Sequence, residues 1–249
     1  MDQAGRSFIG ALLHRAGRLV PAAMKHWMLR ELNPGIVDGT ARLVQGIEPV
    51  HGADARFMDL YGRVAERCLI DRKKAFVLYS ISRGVTVGGG AVAELGVYRG
   101  ATAKIILETC DPAIQFYGLD TFAGLPPTDA EKDPYWTAGE LKADDVETVA
   151  AFLDADNATL IKGIFPASAA GLPADARYQL VHVDCDIYQA TKDACAYFYP
   201  RLEAGGILLI DDYGLLTCPG VRNAADEYFA DQDAKPIYIS SAQAIVVKR

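Results

Sequence analysis

Apolar and polar positions along the chain change rhythm near residue 88. Before it, apolar and basic residues are mixed at helical spacing through Phe8–Leu32 and again through Phe57–Ile81. Asn33-Pro34-Gly35 breaks the first of these stretches. From Gly88 onward, short apolar runs alternate with longer amphipathic ones. The runs predict strands at Ala91–Leu95, Gln115–Leu119, Thr159–Lys162, Gln179–Val183, Ile207–Ile210, Ile237–Ser240 and Ala244–Lys248. Helices are predicted at Ala101–Thr109, Asp144–Leu153, Tyr188–Tyr199 and Val221–Ala230. Continuously apolar strands alternating with helices imply a parallel sheet covered on both faces. Only Ser241-Ala242-Gln243 separates the last two strands, so they should close as an antiparallel hairpin. The expected architecture is α/β and Rossmann-like: a mostly parallel seven-stranded sheet ending in that hairpin. Residues 1–85 form a helical extension and residues 86–249 the main domain.

Two pairs of carboxylates change this picture from a fold to a chemistry. Asp184-Cys185-Asp186 follows the apolar run Leu180–Val183, and Asp211-Asp212 follows Ile207–Ile210. Each pair taken alone could cap a helix or end a strand. Together, at the carboxyl edge of one sheet where α/β folds bind ligands, four negative charges call for a cation or a proton among them. Asp184 and Asp186 are two apart, so extended backbone aims them the same way and turns Cys185 aside. Asp211 and Asp212 reach one ion only if the strand is already ending, which Tyr213-Gly214 suggests. Oxygen donors without thiolate or imidazole select a hard ion, Mg²⁺ before Ca²⁺ or Mn²⁺. His182 reads as a sheet-packing histidine, and Cys185 as a small buried residue.

A second constellation is nucleotide-like. Glu94-Leu95-Gly96-Val97-Tyr98-Arg99-Gly100 joins the first strong strand to a helix, and its spacing is not that of dinucleotide sites. The next strand ends at Asp120, placed to accept hydrogen bonds from two ribose hydroxyls, with a turn-capping role as the alternative. Gly163 and Ile164, after the third strand, are expected beside an adenine ring. The connection from Thr121 to Asp144 is long enough for a lid, with Tyr135 and Trp136 either stacking on an acceptor or anchoring the loop.

The stretches AELGVYRGATA, GLDTFAGLP, VHVDCDIYQAT, YPRLEAGGILLIDDYG and GVRNAADEYF, in this order over roughly residues 85–230, resemble the macrocin-type (TylF-like) sugar O-methyltransferases. That resemblance implies a class I methyltransferase fold, S-adenosylmethionine and a divalent metal. It implies Asp184, Asp211 and Asp212 as metal ligands and Asp186 as general base. Glu94, Gly96, Tyr98, Gly100, Thr102, Asp120, Thr121, Gly163, Ile164 and Asp184 become the cofactor-facing set. Tyr135, Trp136, Tyr188 and Tyr213 are candidate acceptor contacts. The chain departs from the family pattern at DIYQAT and LDTFAGLP, beside the carboxylates but without removing one. The alternatives are a catechol-type O-methyltransferase and a non-catalytic S-adenosylmethionine-binding protein.

Bulk properties narrow the partners. The chain has 249 residues, 51% hydrophobic and 23% charged, with a net charge of −7. An acidic balance offers no excess cations to replace phosphate counterions, which argues against nucleic acid. No run reaches membrane-span length. Phe8–Leu13 is too short for a signal peptide and is followed at once by His14, Arg15 and Arg18. Five scattered cysteines without a CxxC suggest reduced thiols and a cytoplasmic location. The basic residues Arg6, Arg15, Arg18, Lys25 and Arg30 read as a solvated helix face, with peripheral membrane contact as the sharper option. The surplus N-terminal helices suggest a homo-oligomer, and the resemblance a small glycoside acceptor.

Overall fold

The computed structural model describes residues 50–142 and 144–249. The expected helix over Phe8–Leu32, its break at Asn33-Pro34-Gly35 and the basic face lie outside the described residues. The described chain begins with α1 (Val50–Ala53), α2 (Ala55–Val64) and α3 (Arg72–Ser82). Asp54 caps α2 by accepting from Phe57 N at 2.9 Å, and Asp71 caps α3 by accepting from Lys73 N and Lys74 N at 2.8 and 3.0 Å. The alternating part follows as β1 (Ala91–Leu95), α4 (Ala101–Thr109), β2 (Phe116–Asp120), α5 (Val146–Leu153), β3 (Ala158–Lys162), β4 (Tyr178–Val183), α6 (Tyr188–Phe198), β5 (Leu202–Ile210), α7 (Pro219–Phe229), β6 (Ile237–Tyr238) and β7 (Ala244–Val247).

Among the described residues these strands make one seven-stranded sheet in the order β3-β2-β1-β4-β5-β7-β6. The pairings from β3 to β5 are parallel, and β7 pairs antiparallel with both β5 and β6. The hairpin is therefore where the sequence pattern put it. β5 is longer than its apolar run, because Leu202–Gly206 lead into it across a register irregularity opposite Tyr178–Leu180.

Side-chain alternation divides the core. Ala93, Leu95, Val181, Val183, Leu208 and Ile210 face α6 and α7, packing on Phe198 and Phe229. Val92, Leu180 and Leu209 face the other way, onto Leu78 of α3, Ile106 of α4 and Val149 of α5. Phe57, Leu60 and Tyr79 extend this layer against Ala101 and Ile105. Parity then carries into the strand ends. Glu94, His182 and Asp211 fall on the α3 face, because each lies two residues beyond Val92, Leu180 or Leu209.

Candidate active site

The site lies at the carboxyl ends of β1, β2, β4 and β5, where a cleft is lined by Gly96, Tyr98, Thr102, Asp120, Thr121, Gly163, Asp184, Asp186 and Asp212. Gly96 makes the cleft possible. It has φ +96°, and a Cβ there would sit 1.7 Å from the Asp184 carbonyl oxygen. Only glycine lets the β1 turn cross the end of β4 this closely. Asp120 holds the same turn: its Oδ2 accepts from Val97 N at 2.9 Å and Tyr98 N at 2.8 Å, and its Oδ1 from Phe122 N at 2.7 Å. That is the turn-capping role, and Asp120 also lines the cleft, as do the apolar Leu119, Leu141 and Phe165. A polar edge beside an apolar slot suits a nucleoside.

Other expected positions are displaced from the cleft wall. Ile164 is 54% exposed, and the turn after β3 instead buries the next side chain, Phe165, against the cleft. Gly100 serves as the left-handed cap of α4. Glu94 is fully buried beneath the floor, on the α3 face where strand parity sends it. Of the four aromatic acceptor candidates, Trp136 lines the cleft. Tyr188 and Tyr213 do not: the Tyr188 hydroxyl bonds Glu227, and the Tyr213 hydroxyl donates to Asp226 at 2.5 Å. Tyr135 packs partly buried against the core.

Two of the carboxylates, Asp211 and Asp212, meet on a lysine that sequence reasoning missed. Lys74 Nζ lies 2.8 Å from Asp211 Oδ1 and also pairs with Asp212 Oδ1. β5 ends at Ile210, and Asp212 has φ +59°, so the two adjacent side chains turn toward one point. Asp186 is also left-handed, with φ +63°, so the extended geometry expected for the Asp184–Asp186 pair ends at Val183. Both nevertheless reach the cleft. Lys74 lies on the buried stripe of α3 with Ala75, Leu78, Tyr79 and Ser82.

His182 also needs correction. It shares strand parity with Asp184, and its environment is polar rather than simple sheet packing. Its Nδ1 lies 2.8 Å from Glu94 Oε1 and its Nε2 3.5 Å from Asp211 Oδ2, with all three side chains fully buried. Burial lowers the imidazole pKa, but hydrogen bonds to Asp211 and Glu94 outweigh it and raise it to about 10. Burial likewise works against charged Lys74, and Asp211 and Asp212 hold it protonated, well above the ordinary lysine value. Asp211, despite burial, is held below the usual carboxylate range by Lys74 and His182. Asp184 and Asp186 go the other way. Burial and then the neighbouring carboxylates push both well above that range.

The donor chemistry fits a hard divalent ion: Asp184, Asp211 and Asp212 offer oxygen, and Asp211 Oδ2 has His182 Nε2 at 3.5 Å. Among the described residues the candidate ligand atoms fall into two groups, Asp184 and Asp211 with His182, and Asp186 and Asp212 with Cys218. Cys218 adds a buried thiol 3.8 Å from Asp212 Oδ2 and 4.0 Å from Asp186 Oδ1. Burial raises its pKa well above the ordinary thiol value.

A carboxylate-lined cleft at the carboxyl edge of a sheet of this order is the arrangement of a class I methyltransferase fold. Residues 77–242 match the family model for macrocin-O-methyltransferase (TylF), and the chain belongs to that family. A tetracenomycin-C rhamnosyl 4'-O-methyltransferase of Streptomyces olivaceus is 28% identical over 157 residues, 56% of this chain and 58% of the relative. Mycinamicin III 3''-O-methyltransferase of Micromonospora griseorubida is 32% identical over 157 residues, 56% of this chain and 60% of the relative. The match therefore spans about three fifths of these relatives' length. The structure of the O-methyltransferase NovP superposes with a TM-score of 0.62 at 22% identity, covering 73% of this chain and 82% of that one. Calicheamicin methyltransferase CalS11 superposes with a TM-score of 0.57 at 18% identity, covering 99% and 94%. Both likenesses are of fold.

Proposed function

We propose that this protein is an S-adenosylmethionine-dependent O-methyltransferase acting on a sugar or glycoside hydroxyl, with Asp186 as general base. The observation that carries this reading is the position of Asp186. It lines the cleft together with Asp184 and Asp212, and the same cleft is lined by the glycine turn at Gly96 and by Asp120. The relatives named as rhamnosyl and mycinamicin O-methyltransferases support the acceptor class. Asp184, Asp211 and Asp212 would hold the hard divalent cation, Mg²⁺ by donor chemistry.

An alcohol is a poor nucleophile at neutral pH. The bound cofactor supplies an electrophilic methyl group, and the bound cation would draw charge from vicinal hydroxyls of the acceptor. Asp186 would accept the hydroxyl proton as the oxygen lone pair forms the new bond to the methyl carbon and the carbon–sulfur bond breaks, its electron pair leaving with the sulfur of the cofactor. Gly96 and Asp120 hold the cofactor side of the cleft, and Trp136 borders the acceptor side. Catalysis on this reading is positioning and electrostatics. The helical segment up to residue 85 is proposed as acceptor cover or oligomer contact. The five free cysteines are consistent with a reducing, cytoplasmic setting.

A panel of deoxysugar glycosides and catechols, incubated with methyl-labelled cofactor and Mg²⁺, tests the reading. Label transfer to glycosides, abolished by EDTA and restored by Mg²⁺, is expected. Transfer only to catechols overturns the acceptor class, and EDTA-resistant transfer removes the metal.

A further inference from the structure

A lysine stands where the carboxylate site needs positive charge, and it comes from outside the sheet. The Asp71 cap fixes Lys74 in the first turn of α3. Its stem runs along the buried stripe of that helix, and its ammonium bridges Asp211 and Asp212 at the cleft floor. The Lys74 side chain is 7% exposed, and Asp211 has none of its side chain in solvent. Such a pair forms only because each partner offsets the other's burial. Lys74 contacts oxygens of two of the three residues assigned above to a divalent ion. An ammonium and a divalent cation on the same oxygens would repel strongly at this burial. The cleft gives the lysine a place to go, since Lys74 itself lines it together with Asp184, Asp186 and Cys218.

The geometry points to Lys74 as an exchangeable internal cation, which bridges Asp211 and Asp212 before metal binds and is displaced into the cleft by the incoming ion. This rests on the metal reading of the site. The exchange preassembles the centre, because the two aspartates are held together before the metal arrives. It also lowers apparent metal affinity by the fraction of molecules in which the lysine is displaced.

Calorimetric titration of MgCl₂ into the full chain, its Lys74→Gln variant and its Lys74→Arg variant measures the competition. If the displaced fraction is about a tenth, Lys74→Gln binds Mg²⁺ about tenfold more tightly than the parent. Lys74→Arg, which can bridge both carboxylates with a rigid fork, binds more weakly than the parent. Equal affinity in the parent and Lys74→Gln overturns the exchange.

Acylation of the unmutated chain with an amine reagent, mapped by peptide mass spectrometry, tests displacement itself and does not depend on any variant folding. Lys74 should be protected without Mg²⁺ and labelled with it. Unchanged labelling while calorimetry shows Mg²⁺ bound overturns the exchange but leaves the metal reading intact. Absence of Mg²⁺ binding in both the parent and Lys74→Gln overturns the two together.

Discussion

At the scale of single residues, the centre is an arrangement of unequal carboxylates. Asp211 keeps its charge because Lys74 and His182 both face it, while Asp186 is left to the cleft with its carboxyl pushed up by burial, Asp212 and Asp184. A base with a raised pKa is protonated at mildly acid pH, so methyl transfer should rise with pH above the usual carboxylate range. Added Mg²⁺ should shift that acid limb downward, since nearby positive charge favours the carboxylate. A pH profile of kcat/KM at two Mg²⁺ concentrations checks both directions. Asp186→Asn should lose at least about a hundredfold in turnover while calorimetric cofactor binding persists; near-parental turnover would remove the base assignment. His182 carries a stability prediction. Its folded pKa of about 10 lies above its unfolded value, so its contribution is full below about pH 6.5 and lost as pH rises through 10. The Tm gap between the parent and His182→Gln should therefore narrow on raising the pH from 6 to 10.5.

At the scale of elements, the connection between β2 and α5 is anchored as well as long. Buried Asp133 accepts from Tyr188 N at 2.9 Å, which caps α6 in place of the Asp186 side chain. A Cβ on Gly220 of α7 would come within 2.1 Å of Asp133 Oδ1, so the connection is seated on two helices at once. Trp136 Nε1 donates to Cys218 Sγ at 3.3 Å, against the carboxylate floor. Asp133→Ala leaves the Tyr188 N–H without its partner and should cost about 1–3 kcal/mol, read from the urea midpoint. Trp136→Phe keeps the apolar wall and loses the donor, so it should raise acceptor KM while leaving cofactor affinity unchanged, measured by initial rates and calorimetry. Loss of cofactor affinity would place Trp136 on the wrong side of the cleft.

At the scale of the whole molecule, the described N-terminal helices are built into the same structure as the sheet. Leu78 of α3 packs in the layer that holds Val92 and Leu180, and Phe57 of α2 belongs to the cluster that reaches Ala101 and Ile105. Phe57→Ala should cost about 3–5 kcal/mol, visible as a lower urea midpoint. Near-UV and far-UV signals should still change together, because one continuous packing unit unfolds as a unit. Transitions that separate would divide the helical segment from the sheet.

The order of strands and helices, the terminal hairpin and the residues at the carboxyl edge were legible in the chain, because strand parity and glycine turns are local constraints. Asp184, Asp186, Asp211 and Asp212 could be brought to one edge on that basis alone. Their division of charge could not be read there. Lys74 is more than a hundred positions before Asp211, and a lysine in a helical run ordinarily reads as solvated. His182 joins Glu94 and Asp211 only once three strands lie side by side with their ends in register. Tertiary packing alone decided which cations meet which carboxylates, because burial sets the energy of each charge and burial is a property of the folded molecule.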